Sequence, residues 1–397
     1  MIKDFLKRLR VVFFESVSSF RKNKGLTAAS SLAFSATLAL IPTLFLLTFV
    51  LSAAIGSSGR ALAKTQALLG QMIPAYSQDI LREVSFITAH MGTIGLVNGL
   101  ILLWSVTPLV ADLRISLGTI FRKKPSRPFL MEKLFDVALS IVFLVGLSAI
   151  AAAGVIFTLV EKKSHLTLTL GYLNDVVPFI FVVAVVFSLY FAFSSKVRIR
   201  YLMSGALLTS LLWFTMTPAF HLFLTFNPGY GFAFGSFKSL FVVIIWIYYS
   251  LVVFLLGAEI AACLGRDETV FIKQLMEGKT NVPAGVIGKF VVRYEKGSTI
   301  FNAGDPGNEL FCVLKGRVSI QKGDQVIGVI PAGKCFGGIS FLLSSPRAAT
   351  AVALEETELV AIGNDNVNKL MNEYPEFVIE ILREMALRLR EANKLID

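Results

Sequence analysis

The sequence has few of the residues that build catalytic and metal centres. Its 397 residues include only three histidines and three cysteines, and 16% of the residues are charged. The histidines, His90, His165 and His221, are far apart, and the sequence has no His-x-His pattern and no acidic cluster. A hydrolytic metal site needs several such ligands close together. We therefore expect no bound metal, no catalytic residue and no enzymatic activity.

The three cysteines show no paired spacing. Cys263 falls in a long apolar run, whereas Cys312 and Cys335 fall in separate strand-like segments. Disulfide frameworks are typical of small secreted domains, in which several cysteines recur at characteristic spacings. The pattern predicts reduced cysteines, no disulfide framework and a reducing compartment.

Hydrophobic residues are abundant instead, at 55% of the chain, and they are concentrated in its first two thirds. A helix needs about 20 apolar residues to cross a hydrocarbon core of about 30 Å. Uninterrupted runs of that length exclude the shorter, alternating strands of a barrel. The sequence therefore predicts an all-α membrane domain with six transmembrane helices. Their expected positions are 28–54, 92–118, 134–160, 172–194, 201–226 and 237–264.

Basic residues are distributed unevenly among the connections. Seven Lys and Arg residues lie in 1–27, five in 119–133 and three in 195–200, whereas the alternate connections hold three, two and none. Because basic residues collect on the cytoplasmic side, both termini are expected in the cytoplasm, and 55–91 is the largest external connection. The net charge of +11, placed at the ends of apolar runs, predicts anionic lipids rather than nucleic acid as partners.

The segment 1–27 has a basic character and apolar residues at helical spacing. A helix with one apolar face and a basic face binds to the surface of a membrane. We predict such a basic amphipathic helix in the cytoplasm, and the alternative is a helix that packs on another protein domain. The apolar residues are Ile2, Phe5, Leu6, Leu9, Val12, Phe13, Val17 and Phe20.

Within 288–397 the pattern changes to short strand-like runs separated by glycine turns. Seven runs are predicted as strands, and helical segments are expected at 364–372 and 375–395. This pattern is typical of a soluble β-roll, or jelly roll, that is closed by C-terminal helices. A connector at 265–287, which contains several glycines and a proline, joins this domain to the membrane domain at 28–264.

The most specific local chemistry lies around Phe336-Gly337-Gly338. Backbone N–H groups at the start of a helix, together with one guanidinium, commonly hold a phosphate. Two adjacent glycines let the backbone approach an anion, and Arg347 supplies a guanidinium ten residues after Gly337. We therefore predict an anion site. Its residues are Gly337, Gly338, Ile339, Arg347 and Ala348.

Several pieces of this segment resemble the cyclic-nucleotide-binding domain family. They are Gly304-Asp305-Pro306-Gly307, Leu310–Val318, Phe336-Gly337 and Pro346–Thr350. The resemblance implies that Arg347 holds the phosphate of a regulatory ligand, cyclic AMP or cyclic GMP, and no other cofactor is expected. The family usually has Glu, which binds the ribose, where this chain has Gly338.

The absence of Glu at position 338 is expected to weaken nucleotide binding. A charge-assisted hydrogen bond is worth about 1.5–3 kcal/mol, so nucleotide affinity is expected to be roughly ten- to a hundredfold weaker. The alternative is a degenerate domain that is kept for docking or assembly, with Arg347 in an ordinary salt bridge.

Groups of residues in the apolar part resemble the YihY/BrkB family of six-helix bacterial inner-membrane proteins, over about 10–265. They are Ala28–Phe34 with Ile41-Pro42, Leu103-Trp104-Ser105 with Leu113, Arg200-Tyr201 with Gly205-Ala206, and Trp246–Tyr248 with Leu256–Glu259. The resemblance implies a multi-pass protein of the bacterial inner membrane. Family members are variously suggested to be transporters or to act in envelope integrity. The family also carries an inherited ribonuclease label, which the scattered histidines do not support.

Four ionisable residues fall within or near the ends of the predicted spans: Asp112, Arg114, Asp136 and Glu259. Such residues are costly in a membrane and are often functional. With both termini in the cytoplasm, all four lie toward the same face, and Arg114 is expected to pair with Asp112 or Glu259. The functional interpretation is a polar gate or cavity that faces the cytoplasm. The alternative is a set of interfacial charges that tie helices together or reach the interface.

The sequence therefore predicts a transporter or permease-like membrane protein, of undefined substrate, that is modulated by a cytoplasmic cyclic-nucleotide-binding-like domain. The alternative, from a different class, is a non-transporting scaffold in envelope integrity whose degenerate sensor domain recruits a partner. A homo-oligomer is compatible with both.

Overall fold

The computed structural model describes residues 2–55, 95–123, 128–163, 173–194, 197–227, 229, 235, 237–276, 284–323, 325–343, 345–375, 379, 382 and 383. The chain divides into two compact units. One unit is Ser16–Gly265, and the other combines Met1–Glu15 with Arg266–Asp397. The sequence-based division kept 1–27 apart from the C-terminal domain, whereas the structure groups the first 15 residues with that domain. Residues 56–91, in the predicted external connection, lie outside the described part.

Long helices account for the apolar part of the chain. They are α1 (Ile2–Lys22), α2 (Gly25–Ile55), α3 (Gly95–Ile120), α4 (Phe129–Lys163), α5 (Leu173–Phe193), α6 (Ile199–Phe226) and α7 (Lys238–Gly265). Each of the six predicted spans overlaps one helix from α2 to α7. Within the described residues, four stretches are long and apolar enough to cross a membrane, and a fifth, Pro178–Phe193, is shorter. The four are Gly25–Leu44, Ile101–Ile120, Ile199–Phe226 and Leu240–Gly265. The helical membrane-type fold is thus confirmed for four apolar helices.

Helices α6 and α7 approach each other closely through small residues. A Cβ atom added at Gly205 would lie 2.6 Å from the Cβ of Ala261 and 2.8 Å from the carbonyl oxygen of Gly257. A Cβ atom added at Gly257 would overlap the hydroxyl of Thr209. Membrane helices commonly pack through such small residues, because apolar burial alone does not drive association in lipid.

Tyr190 links three of these helices at the centre of the unit. Its side chain is fully buried, and its hydroxyl donates to the backbone carbonyl of Phe254 at 2.5 Å and shares a hydrogen bond with Thr209 Oγ1 at 2.9 Å. The rings of Phe121 and Phe254 pack against it, with centroids 6.2 and 5.1 Å away. A buried tyrosine is stable here because its hydroxyl has partners.

The unit that combines Met1–Glu15 with Arg266–Asp397, here called the soluble unit, contains an antiparallel β-roll. Its strands are β1 (Val291–Tyr294), β2 (Thr299–Phe301), β3 (Glu309–Lys315), β4 (Arg317–Lys322), β5 (Gln325–Pro331), β6 (Cys335–Phe336), β7 (Thr350–Ala353) and β8 (Thr357–Gly363). They form two four-stranded sheets, ordered β1-β8-β3-β6 and β2-β7-β4-β5. The apolar faces of these sheets meet in a core that includes Phe311, Val313, Val318 and Leu359. The predicted β-roll is confirmed.

Shorter helices in the described part of the same unit are α8 (Asp267–Met276), α9 (Ala284–Phe290), α10 (Gly338–Leu343) and α11 (Asn364–Glu373). Helix α11 corresponds to the segment predicted at 364–372. Most of the helix predicted at 375–395 lies outside the described residues. The described residues of the connector predicted at 265–287 are largely helical, since they include α8 and the start of α9.

The first part of α1 packs inside the soluble unit. Val11 is buried in a core with Phe271 of α8 and Leu370 of α11. The carboxylate of Glu15 accepts hydrogen bonds from Lys273 Nζ at 2.9 Å and from the Tyr374 hydroxyl at 3.2 Å. Over these residues the helix packs on a protein domain, which was the alternative to a surface helix on a membrane. Binding of its exposed residues, which include Leu9, Phe13 and Phe14, to a membrane stays a prediction.

The prediction that no cysteines pair is wrong for two of the three. Cys312 on β3 and Cys335 on β6 lie directly opposite each other, with Cα atoms 4.0 Å apart, and they form a disulfide. Cys263 is free and buried. The pairing follows from strand register rather than from sequence spacing, so the spacing of 23 residues gave no signal.

Candidate functional site

The backbone around Arg347 is held by the turn at Gly304-Asp305. The amide of Gly304 donates to the carbonyl of Arg347, and the amide of Arg347 donates to the carbonyl of Asp305, both at 2.8 Å. The Asp305 carboxylate closes the turn by accepting from the amide of Asn302 at 2.7 Å, as Asp commonly does in turns. The glycine-rich turn therefore fixes the position from which the Arg347 side chain extends.

The Arg347 guanidinium is buried and bonded to two backbone carbonyls. The residue is 5% exposed, Nη1 donates to Gly337 O and Nη2 donates to Glu309 O, each at 2.7 Å. Gly337 has a φ of +75°, and a Cβ atom there would lie 2.6 Å from Nη1. Glycine is required at this position both for its backbone conformation and for the close approach of the guanidinium.

Aromatic rings cover the same guanidinium. Its central carbon lies 4.3 Å from the ring centroid of Phe301 and 5.5 Å from that of Phe311. Phe336 stacks on Phe311, with centroids 5.6 Å apart. A cation over an aromatic face is stabilised by the ring quadrupole. Phe301 and Phe311 were missed from sequence, since aromatic residues in strands ordinarily indicate only core positions.

The buried Arg347 side chain keeps one N–H donor that an anion could use. Burial lowers the pKa of the Arg347 guanidinium, while the charges of Glu309 and Asp305 raise it. Among the described residues, no hydrogen-bond acceptor reaches the buried Nε–H of Arg347. A buried donor without an acceptor is costly. An anionic oxygen at Nε would satisfy it, since arginine binds phosphate oxygens through its fork of N–H groups.

The remaining predicted residues of this site lie close by in the chain. Gly338 is buried and begins α10, whereas the side chains of Ile339 and Ala348 are exposed. The Ser340 hydroxyl donates to the carbonyl of Pro346 at 3.1 Å, which ties α10 to the segment that carries Arg347. Within the described part, the hydrogen bonds of Arg347 go to carbonyls rather than to a carboxylate, in contrast to the ordinary salt bridge considered above.

In the unit Ser16–Gly265, here called the membrane-type unit, the four predicted ionisable residues divide into two sets. Arg114 pairs with Asp136, with Nε–Oδ1 at 2.5 Å and Nη2–Oδ2 at 3.0 Å, and Glu132 lies 3.7 Å from Nη1. Asp136 is fully buried. The expected pairing of Arg114 with Asp112 or Glu259 is therefore replaced by a pair with Asp136. The reason is geometric, since the start of α4 packs beside α3.

Asp112 and Glu259 form the second set. The hydroxyls of Ser31 and Ser35 donate to Asp112 Oδ2 at 2.9 and 2.8 Å. Glu259 is fully buried and accepts a hydrogen bond from the side-chain amide of Asn23. Both carboxylates line one cavity of about 250 Å³ near the start of α2 and the ends of α3 and α7. Its polar lining includes Asn23, Lys24, Ser31, Asp112, Ser116 and Glu259.

The two units together define a class of protein. Apolar helices of membrane-spanning length carry two carboxylates, Asp112 and Glu259, that line one cavity, and a separate β-roll presents a buried arginine next to a glycine pair. The chain is thus an integral membrane protein with a C-terminal nucleotide-sensor fold.

Two family models match this chain, one over each part. The family model described as "Virulence factor BrkB" matches residues 16–279, and the model described as "Cyclic nucleotide-binding domain" matches residues 291–374. The first match covers more than half of the chain. The chain therefore belongs to the BrkB (YihY) family and carries a cyclic-nucleotide-binding domain at its C-terminus.

Individual relatives resemble one part of the chain or the other. A UPF0761 membrane protein of Pseudoalteromonas atlantica is 23% identical over 286 residues, which are 71% of this chain and 94% of that protein. The Cyclic AMP receptor protein of Thermus thermophilus is 32% identical over 109 residues, 26% of this chain and 50% of that protein. The solved catabolite activator protein of Thermus thermophilus aligns with 32% of this chain and 57% of its own, at 27% identity and a TM-score of 0.27.

Proposed function

We propose that this protein is a transporter or permease-like protein of the bacterial inner membrane, and that its C-terminal domain modulates it by binding a cyclic nucleotide. The observation that carries the proposal is that Asp112 and Glu259 line one cavity near the ends of the apolar helices. Ionisable residues within membrane-spanning helices often mark solute or ion pathways. We assign no enzymatic activity, because the three histidines are far apart in the sequence, which has no His-x-His pattern and no acidic cluster.

The proposed topology has α2 to α7 crossing the membrane and both termini in the cytoplasm. The distribution of Lys and Arg between the connections supports this orientation, and the basic residues would contact anionic lipids. With this orientation the Cys312–Cys335 disulfide would be one of the uncommon disulfides of a cytosolic domain.

The proposed regulatory ligand is a cyclic nucleotide, cyclic AMP or cyclic GMP, with Arg347 as the phosphate ligand. The buried Nε–H donor supports an anion at this position, and a relative of the same domain is named a cyclic AMP receptor protein. Coupling between two sites in one protein typically amounts to about 1–3 kcal/mol. The chain passes between the units twice, at residues 15–16 and 265–266, and each passage is a covalent route for such coupling.

Nucleotide binding is tested by calorimetric titration of the full-length protein in detergent with cyclic AMP and with cyclic GMP. We expect binding of at least one nucleotide, and a loss of about 1.5–3 kcal/mol in the variant Arg347→Ala, which is roughly ten- to a hundredfold. The matched control is Arg317→Ala, because Arg317 lies in the same β-roll and pairs with Glu355 on an exposed surface. That variant should bind as the wild type does.

A second variant guards against local unfolding in Arg347→Ala. Gly338→Glu introduces the carboxylate that the cyclic-nucleotide-binding family usually has at this position, and it should tighten binding roughly ten- to a hundredfold. Absence of heat with both nucleotides at millimolar concentration, in the wild type and in Gly338→Glu, would contradict the nucleotide proposal and favour a degenerate docking domain.

Transport is tested by reconstituting the full-length protein in liposomes. We expect flux of at least one class among a fluorescent phospholipid, labelled organic cations, anions and sugars, and a change of about fivefold or more on adding nucleotide, as ordinary allosteric coupling predicts. The variant Arg347→Ala should keep the flux and lose the nucleotide response. Complete absence of flux, together with stable co-purification of a protein partner, would favour the alternative of a non-transporting scaffold.

A further inference from the structure

The Cys312–Cys335 disulfide joins β3 to β6, and the carbonyl partners of Arg347 lie on β3 and directly after β6. We propose that this pair is a reversible redox site, which low-molecular-weight thiols reduce, and that its reduction loosens the anion site around Arg347. The proposal rests on the proposed function for the ligand of that site and adds a second control on it. The loosening itself does not require that the ligand be a nucleotide.

Strand β6 has few other restraints within its sheet. It contains two residues and lies at the sheet edge, beside β3. Within the described residues its ladder consists of two residue pairs, Phe311 with Phe336 and Cys312 with Cys335, and two more backbone hydrogen bonds join Val313 to the turn before β6. Because each backbone hydrogen bond contributes little net stability, a ladder this short depends on the disulfide for much of its order.

The position of β6 determines the surroundings of the Arg347 guanidinium. Strand β6 leads directly into Gly337, whose carbonyl accepts from Nη1, while Glu309 on β3 supplies the carbonyl that accepts from Nη2, each at 2.7 Å. The ring of Phe336 stacks on that of Phe311, which lies against the guanidinium. Without the disulfide, Gly337 is free to move relative to Glu309, and the guanidinium is no longer fixed for an anion at its Nε–H.

The disulfide and Arg347 lie on opposite faces of this sheet. Side chains alternate between the two faces along a strand. Cys312 and Cys335 belong to the core that includes Val11, whereas Phe311 and Phe336 belong to the core between the two sheets. An anion bound at Arg347 therefore does not cover the disulfide, and one molecule can respond both to a ligand and to a thiol.

Cys335 carries the sulfur that a reductant reaches first. It is half-buried, lies on the edge strand and follows an exposed turn at 332–334, whereas Cys312 is 3% exposed. Thiol–disulfide exchange requires access of the attacking thiolate to one of the two sulfurs. The geometry therefore makes Cys335 the attacked cysteine and Cys312 the leaving group.

Reduction proceeds by two successive thiol–disulfide exchanges. A small thiolate attacks Cys335 Sγ, the S–S bond of the protein breaks, and Cys312 Sγ leaves as a thiolate that takes up a proton. A second small thiolate attacks the sulfur of the first in the mixed disulfide, and Cys335 Sγ leaves and is protonated. Two small thiols are thereby oxidised to one small disulfide, and their two protons end on Cys312 and Cys335. The same steps in reverse restore the protein disulfide.

The proposed orientation gives the pair this role. It places the β-roll in the cytoplasm, where disulfides are rare and those that occur are usually catalytic or redox-sensing. Since we assign no enzymatic activity to the chain, redox sensing is the role that remains for a disulfide beside the anion site.

The first measurement is the redox state of the native full-length protein in detergent, equilibrated with reduced and oxidised glutathione in varied ratio. After an acid quench, alkylation and peptide mass spectrometry give the fraction of each cysteine that is a thiol. We expect Cys312 and Cys335 to become thiols together as reduced glutathione increases, and to pair again when oxidised glutathione is restored. Cys263 is the internal control, because it is buried outside any disulfide and should be a thiol at every ratio.

Hydrogen exchange of the same protein, without nucleotide, measures the loosening. Amides in 335–341, which include β6 and most of α10, should exchange about tenfold faster or more after reduction, because a disulfide typically stabilises its folded segment by more than a factor of ten represents. The β4–β5 hairpin lies in the other sheet and is the internal control, so its exchange should change by about twofold or less.

Two variants separate the disulfide from general effects of the thiol. Cys312→Ala/Cys335→Ala removes the pair and should exchange like the reduced wild type at every glutathione ratio. Cys263→Ala is the matched control, since it makes the same change at the cysteine outside the pair and should keep the full redox response. Reversible reduction of the wild type keeps the test decisive even if the double variant does not fold.

Calorimetric titration with cyclic AMP and cyclic GMP then compares the two redox states. We expect the reduced protein to bind about fivefold or more weakly than the oxidised protein, as ordinary coupling between two sites predicts. Titration of Cys312→Ala/Cys335→Ala should give the weaker affinity with and without glutathione.

Four results would overturn the proposal. They are a disulfide that glutathione does not reduce in the native protein, unchanged exchange in 335–341 after reduction, equally faster exchange in the β4–β5 hairpin, and equal nucleotide affinity in the two redox states. Failure of the proposed function gives a different result. Absence of heat with both nucleotides in both redox states would refute the nucleotide ligand alone, because exchange is measured without nucleotide and still decides the redox inference.

Discussion

Replacement of Arg114 by methionine is expected to destabilise the membrane-type unit by about 3–5 kcal/mol, the usual cost of leaving one member of a buried ion pair alone. Arg114 holds both oxygens of Asp136, which is fully buried on α4. Methionine keeps much of the side-chain volume but leaves that carboxylate without its guanidinium. The measurement is the free energy of unfolding, or the midpoint of thermal unfolding, of the purified protein in detergent.

The double variant Arg114→Met/Asp136→Leu tests whether the stability is lost because Asp136 is left without a partner. It removes both charges, and buried pairs replaced by apolar residues are often as stable as the original, so most of the lost stability should return. Glu132→Gln is the control, because Glu132 lies at the longer distance of 3.7 Å from Arg114 and is partly exposed. It should change stability by about 1 kcal/mol or less. A single variant as stable as the wild type would show that the pair is not structural.

The variant Gly257→Ala should lower stability by about 1–3 kcal/mol or more, because the added methyl group overpacks the contact between α6 and α7. The new Cβ would overlap the Thr209 hydroxyl and lie 2.9 Å from the Tyr190 hydroxyl. Helix propensity alone predicts that Gly257→Ala raises stability, since alanine is favoured over glycine by up to about 1 kcal/mol in a helix. The direction of the change in thermal midpoint therefore separates packing from propensity.

Gly146→Ala is the matched control for Gly257→Ala. It makes the same change inside α4, where an added Cβ would have no neighbour within 4 Å among the described atoms, and it should be neutral or stabilising. Adding Thr209→Ala to Gly257→Ala removes the overlapping hydroxyl and should restore part of the stability. If both glycine variants behave alike, close packing of α6 on α7 is not the reason for glycine at position 257.

The elements of both units could be predicted well from local patterns. Apolar runs of sufficient length placed a helix at every predicted span, and glycine-punctuated alternation placed the strands of the β-roll. Helix α8 could not be predicted in the same way, because the glycines at 278, 285 and 288 suggested a linker. Val270, Phe271 and Ile272 of α8 are buried, so packing against the rest of the unit stabilises a helix there.

The candidate sites were only partly predictable, since their contacts depend on distant residues. Arg347 and Gly337 were identified from sequence, and the structure brings them within hydrogen-bond distance. The second carbonyl, from Glu309, and the ring of Phe301 were not identified, because strand register brings them to Arg347. In the membrane-type unit, charge alone identified Asp112 and Glu259, but their hydroxyl and amide donors come from Ser31, Ser35 and Asn23.

Because Val11 and Glu15 pack with α8 and α11, the C-terminal β-roll cannot be expressed alone without exposing part of its packing surface. The soluble unit is discontinuous in sequence, so a fragment that starts at residue 288 retains β1 to β8 but loses Val11 and Glu15, which contact Leu370 and Tyr374. The apolar face thus uncovered would favour self-association of the fragment. A fragment that keeps these contacts needs the first 15 residues and α8 together with the β-roll, for example with a flexible peptide in place of the membrane helices.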